Sequence, residues 1–354
     1  VSTNRRQFLR HGTVLAALAL AGCVDEGDAS GATGAPDDQS GQSEQTDQPV
    51  QTDTPTQTAA SDDEMRWTEL TAMPEPERTE VEATALNGEL YVIGGYVPDG
   101  VTDAVAVYDP EGDSWRSAAA LPQALHHVKA ITYQGRILVF GGYTEAEKSV
   151  ATTYAYDPES DEWEERARMP TSRGAPTAEL VGGKAYVAGG YTKGGLGGGL
   201  RATLEIYDLE SDEWSKGPDM PTARNHLTSG AVGGKLYVVG GRSEFGEEMS
   251  ANEMYDPETN EWTELTPMPS ERGGVNGGAM GGKVFVLGGE KPEGTQATVE
   301  AYDPENDEWE QYPDMPEGRH GLGVAAIDGA LYAVSGGPDP GKEYSSTLWR
   351  LSAE

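Results

Sequence analysis

The chain has 354 residues, with 60 acidic against 25 basic side chains, a formal net charge of −35 and a single cysteine. A surface that negative repels a phosphate backbone, which excludes nucleic acid as a partner. One cysteine cannot make an internal disulfide, and it leaves nothing for a thiolate metal site further along the chain.

Residues 1–23 read VSTNRRQFLRHGTVLAALALAGC. The pair Arg5-Arg6, then Phe8-Leu9, precedes an uncharged apolar run from Val14 to Ala21. That run is shorter than the roughly 20 residues a membrane span requires. The stretch resembles a twin-arginine export signal, and Leu20–Cys23 resembles a lipobox. The resemblance implies that residues 1–22 are a signal peptide, that Cys23 carries a lipid, and that the protein sits on the outer face of the cytoplasmic membrane. Residues 24–64 hold 11 acids and no basic or aromatic side chain. They cannot bury a core and are expected to form a disordered acidic tether.

From residue 65 the chain is periodic. Met-Pro or Leu-Pro pairs begin at Met73, Leu121, Met169, Met220, Met268 and Met315, in steps of 48, 48, 51, 48 and 47. Gly-Gly doublets start at Gly94, Gly141, Gly189, Gly240, Gly288 and Gly336. Aromatics follow at Tyr108, Tyr156, Tyr207, Tyr255, Tyr302 and Trp349, and a Trp lies seven residues after each of the five tyrosines. Six units of this length and grammar resemble the kelch repeat. The resemblance implies an all-β, six-bladed propeller over 65–354 with four antiparallel strands per blade.

The third unit shows the reading within a blade. APTAELV is one strand, Gly182-Gly183 a hairpin turn, KAYVAGGY the second, ATLEIYD the third, and a fourth lies around Trp214. The Asp-Pro-Glu turns of the other units read as solvated turns rather than calcium loops, since they lack a full set of oxygen ligands. The sixth unit ends after its third strand. Residues 65–70, MRWTEL, supply the missing Trp as Trp67 and are expected to complete the last blade and close the ring.

In such a blade the second-to-third loops share one face with the blade-to-blade connections. The variable loops 96–103, 143–150, 191–201, 242–251, 290–296 and 338–344 lie there, so that face is the expected binding face. Arg78, Arg173, Arg224, Arg272 and Arg319 recur beside it, with Leu125 at the place in the second unit. They are read either as a ring of guanidiniums for a carboxylate ligand or as a repeat element pairing with local acids. Just inside, a polar column holds Glu80, His127 and His226, and a second holds Glu82, Lys129 and Asn276. Glu80, Glu82, His127 and His226 are candidates for acid–base chemistry, and Lys129 and Asn276 for ligand binding.

Three functions compete. The first is a monomeric binding module for a protein or an acidic glycan, with no cofactor and no metal. The second is a sugar-acid mutarotase or epimerase, which some exported kelch propellers resemble. A third, a galactose-oxidase-like copper site, is disfavoured, because the region holds no cysteine to cross-link a tyrosine. The acidic composition, spread over every repeat, resembles that of haloarchaeal surface proteins, which fold where salt screens repulsion to about 3 Å.

Overall fold

A computed structural model describes residues 65–194, 198–244 and 246–353. Cys23, the export signal and the tether lie outside the described residues. Among these residues there are six antiparallel sheets with a four-strand path, two two-stranded ribbons (Tyr96–Val97 with Gly100–Val101, and Tyr191–Thr192 with Gly199–Leu200) and no helix. The third comprises Thr177–Val181, Lys184–Ala188, Leu204–Asp208 and Glu213–Lys216. Each inner strand lies against those of its two neighbours, and the first lies against the last. The result is a closed six-bladed propeller.

The hydrophobic effect acts here between blades. One cluster joins Leu86, Tyr91, Ile93 and Val107 of the first blade to Leu121, Val128, Ile137 and Tyr156 of the second. Five further clusters repeat the arrangement, including one that joins the sixth blade to the first. The Met of each Met-Pro pair is buried in these seams.

The aromatic phrase forms a clamp between blades. Tyr156 donates its hydroxyl proton to Asp161, 2.8 Å away, and Asp161 accepts the Ala119 N–H of the preceding blade at 2.7 Å. The Trp163 indole then donates to the Ala119 carbonyl at 2.8 Å. The same three bonds hold Thr71 through Tyr108, Asp113 and Trp115, and Ala167 through Tyr207, Asp212 and Trp214. The turn carboxylates are therefore structural acceptors as well as solvated groups. Their hydrogen bonds hold Asp113 and Asp161 below the ordinary carboxylate range.

Ring closure follows the expected route. Arg66–Leu70 pairs antiparallel with Leu348–Ser352, Trp67 facing Leu351, and the Trp67 indole reaches the Pro313 carbonyl at 2.8 Å. Two sixth-blade positions differ from the repeat reading. Leu351, not Trp349, stands where the other blades have Tyr. The true glycine doublet is Ser335-Gly336: the Ser335 N–H meets the Thr347 carbonyl as that of Gly94 meets Ala104. Ser335 adopts φ 58° in a left-handed conformation that favours glycine.

The five arginines do not line the mouth. All are buried, at most 4% exposed, and each runs into its own blade. Arg173 donates to the carbonyls of Gly189 and Thr203 and pairs with Glu205 at 2.7 Å; Arg272 donates to Gly288 and Thr298 and pairs with Glu300 at 2.7 Å. Arg224 pairs with Glu253 and donates to the Val238 carbonyl. Arg319 lies over the Trp349 ring, 4.9 Å from its centroid, and Arg78 donates to the Ala104 carbonyl. In the second blade the Arg–Glu pair is replaced by Leu125 and Tyr154, both buried. At Arg173, Arg224 and Arg272 the guanidinium thus satisfies backbone carbonyls and one carboxylate. It is not free for an anionic ligand.

Two outcomes test this architecture. Deleting residues 65–70 should abolish the cooperative thermal transition seen by circular dichroism, because the sixth blade loses its outer strand. Arg224→Leu should cost roughly 3–5 kcal/mol in denaturant unfolding by stranding Glu253. Arg224→Leu with Glu253→Tyr, which copies the second blade, should recover most of that loss.

Candidate functional site on the propeller axis

Two residues beyond each arginine position the inner strands meet at the axis. There Glu80, His127, Ala175, His226, Gly274 and Gly321 all have φ between 50° and 67°. Their backbones form a ring. The N–H of His127 donates to Glu80, Ala175 to His127, His226 to Ala175, Gly274 to His226 and Gly321 to Gly274, at 3.0–3.2 Å. Val81 N–H closes the circle on the Gly321 carbonyl at 3.2 Å. A side chain at Gly321 would meet the Glu80 carboxyl carbon at 2.6 Å, so this gap admits Glu80. Three residues with functional side chains therefore hold a backbone shape that costs an ordinary residue about 1 kcal/mol or more.

Their side chains converge. His127 Nε2 lies 3.0 Å from Glu80 Oε2 and 3.0 Å from His226 Nε2. The other Glu80 oxygen, Oε1, is 3.2 Å from His320 Nδ1, and His320 Nε2 is 3.1 Å from the Asp339 carbonyl. Behind them, His127 Nδ1 faces His126 Nδ1 at 2.5 Å, and His226 Nδ1 contacts the Asn225 side-chain oxygen. Burial would raise the Glu80 carboxyl, but His127 and His320 outweigh it and hold it well below the usual range. His226 is driven well below the ordinary imidazole value, first by burial and then by His127 and Arg242. Burial and His127 likewise push His126 down to about 3. For His320 burial acts downward, yet Glu80 prevails and raises it.

Beneath this tier the second column forms its own network. Lys129 Nζ lies 2.9 Å from Glu82 and 3.0 Å from the Asn276 oxygen, and the Asn276 amide donates to the Leu322 carbonyl at 3.0 Å. Deeper still, Ser229 donates to Glu179 at 2.9 Å, and burial pushes Glu179 up to about 7. The first two tiers line a cavity of about 50 Å³. Ligand pockets for small molecules run to roughly 300–1,000 Å³. A sugar acid does not fit here, and the arginines that would hold its carboxylate are buried.

Of the candidates, Glu80, His127 and His226 are brought together, while Glu82, Lys129 and Asn276 are bonded to one another one layer below. His126 and His320 escaped the column reading because they sit one place earlier in the register. His126-His127, adjacent in sequence, and Arg319-His320, at a repeat position, were the available signals. Above the ring the loops carry Tyr96, hydrogen-bonded to Glu147, and Arg242, bridged to Glu248 and Glu290. Lys193 lies 4.3 Å from the Tyr143 ring centroid, and Lys342 lies 4.1 Å from that of Tyr96.

Comparison with known proteins places these features in a family. The KLHDC2/KLHL20/DRC7 Kelch-repeats domain family matches residues 80–270 and again 177–354. Kelch-like protein 40a of Danio rerio is 44% identical over 178 residues, 49% of this chain and 28% of that protein. Kelch-like protein terF of Aspergillus terreus is 30% identical over 185 residues, 48% of this chain and 40% of its own length. The human kelch repeat and BTB domain-containing protein 12 is 32% identical over 178 residues, 44% of this chain and 29% of that protein. The matched region thus spans well under half the length of each of these relatives.

Glu179 gives the channel a pH signature. Its carboxyl titrates at about 7 when folded and near 4.3 when unfolded, so between these values the folded state holds the extra proton. Stability from this group is lost as pH rises. Relative to wild type, Glu179→Gln should gain on the order of 1–2 kcal/mol between pH 5 and pH 8 in urea unfolding, with the two proteins most alike at the acid end.

Proposed function

This chain belongs to the kelch-repeat family, and we propose that it is a docking module whose loop face binds a protein partner through a basic segment. The observation that carries the reading is the asymmetry of the two faces. The short turns repeat nearly unchanged from blade to blade. The loops 96–103, 143–150, 191–201, 242–251, 290–296 and 338–344 differ in length and chemistry. They hold 11 carboxylates against 6 Lys and Arg, and loops on a rigid frame are where recognition concentrates. The names of the curated relatives are those of kelch-type proteins, which agrees with a binding role.

An acidic glycan is the weaker partner, since it depended on arginines that the fold uses internally. A mutarotase is the weaker reading, since the axial cavity is only about 50 Å³. The twin-arginine pattern, the lipobox at Cys23 and the acidic tether support export and anchoring. The acidic surface supports a salt-rich exterior, in which steering by charge is short-ranged.

The test is a peptide-display selection against the propeller, followed by binding measurements on the selected sequences. Selected peptides should be basic. Reversing Glu244, Glu247 and Glu293 to Lys should weaken them at least tenfold, about 1.4 kcal/mol, while reversing Glu159, Glu210 and Glu258 on the short-turn face should leave affinity unchanged. Selected peptides that are acidic, or that respond only to the short-turn changes, would refute the proposal.

A further inference from the structure

The axial cluster gathers imidazole nitrogens and a carboxylate around one gap. In the tautomer that gives the Nδ1–H of His226 to the Asn225 side-chain oxygen, the His226 Nε2 lone pair points inward. His127 Nε2 stands 3.0 Å from that lone pair and 3.0 Å from the Glu80 carboxylate oxygen. It carries at most one proton and faces two acceptors. If His127 gives its proton to His126 through Nδ1, three lone pairs converge with none. With these rings neutral, the donor atoms of Glu80, His127 and His226 converge on the gap between them.

A metal cation fits that gap. One donor atom from each of Glu80, His127 and His226 lies within 4.8 Å of the others. Tetrahedral zinc with bonds of 2.0–2.1 Å separates its ligands by about 3.3 Å, close to the two 3.0 Å spacings. Two imidazoles and a carboxylate, with no thiolate, suit zinc and neighbouring first-row divalent ions. The outer contacts are those a metal site uses: Asn225 fixes the ring of His226, His126 faces the far nitrogen of His127, and His320 holds the second Glu80 oxygen. The adjoining cavity of about 50 Å³ leaves space for water on the ion. The Glu80 and His127 side chains keep 14% and 10% of their surface exposed, so the cluster is not sealed. The left-handed backbone at all three positions is then the shape that aims their side chains at one point.

We propose that Glu80, His127 and His226 bind one divalent transition-metal cation of the zinc class on the propeller axis, with at least one coordination position held by water. The site goes beyond the docking reading and stands or falls separately from it. The sequence alone gave no reason to expect a metal, because the three ligands come from three different repeats.

Cobalt is the probe, since its visible absorption reports ligand geometry. Full-length protein, stripped with chelator and titrated with Co²⁺, should take up one equivalent and develop the bands of a nitrogen- and oxygen-ligated tetrahedral or five-coordinate ion. Zn²⁺ should displace it and raise the melting temperature. His127→Ala and His226→Ala should each weaken binding by at least a hundredfold, and Asn225→Ala by roughly 10–100-fold. Ala175 occupies the same ring position with the same backbone conformation, so alanine is compatible with the fold there. His11→Ala and Cys23→Ser should leave the spectrum unchanged. Wild-type protein that shows no saturable uptake overturns the proposal. So does uptake that survives both histidine changes, or that vanishes with Cys23.

Discussion

The circle of backbone hydrogen bonds at the axis governs the rest of the molecule. Six N–H groups, each reaching a carbonyl of the neighbouring blade, can close only if the six residues bearing those carbonyls turn left-handed at the same depth. Glycine does this at least cost, and Gly274 and Gly321 take that solution. At Glu80, His127 and His226 the same shape is held by residues that prefer other conformations. The closed seams and the inter-blade clamps keep them there. A local preference is overruled by a global constraint, and the polar groups thereby brought together are the ones that carry chemistry.

The buried arginines show the same logic in another place. Where each inner strand begins, carbonyls at the ends of neighbouring strands need donors, and one guanidinium reaches several. Its charge then requires Glu205, Glu253 or Glu300 close by. The second blade fills the same space without the charge pair, with Leu125 and Tyr154 buried there. Both arrangements coexist in one ring, so a blade closes with or without the guanidinium.

Much of the fold was legible because the aromatic phrase is written repeatedly at fixed spacing. Tyr, turn and Trp could be aligned by eye, and the surplus Trp67 announced the closing strand. The sixth blade was harder. Ser335-Gly336-Gly337 offers three small residues in a row, and the bonds from Ser335 to Thr347 and from Gly336 to Arg78 decide the register. The site was partly legible. Period-two alternation placed Glu80, His127 and His226 on the channel, but it said nothing of the left-handed bend that brings in His320 from one place earlier. The arginines were found at the right register with both directions left open, since sequence position does not show whether a long side chain turns outward or into its own blade. Their partners lie 28–32 residues downstream. The matched exchange to Leu125 and Tyr154 was the one hint.

The borrowed outer strand has a mechanical consequence. Leu70 leads toward Met73, whose N–H meets the Ser346 carbonyl among the loops, so Met65 lies at the opposite rim. If the domain is held by chain entering at Met65 and grips its partner through the loops, tension runs lengthwise along Arg66–Leu70. The five residue pairs with Leu348–Ser352 are then loaded together, in shear, instead of being peeled apart one after another.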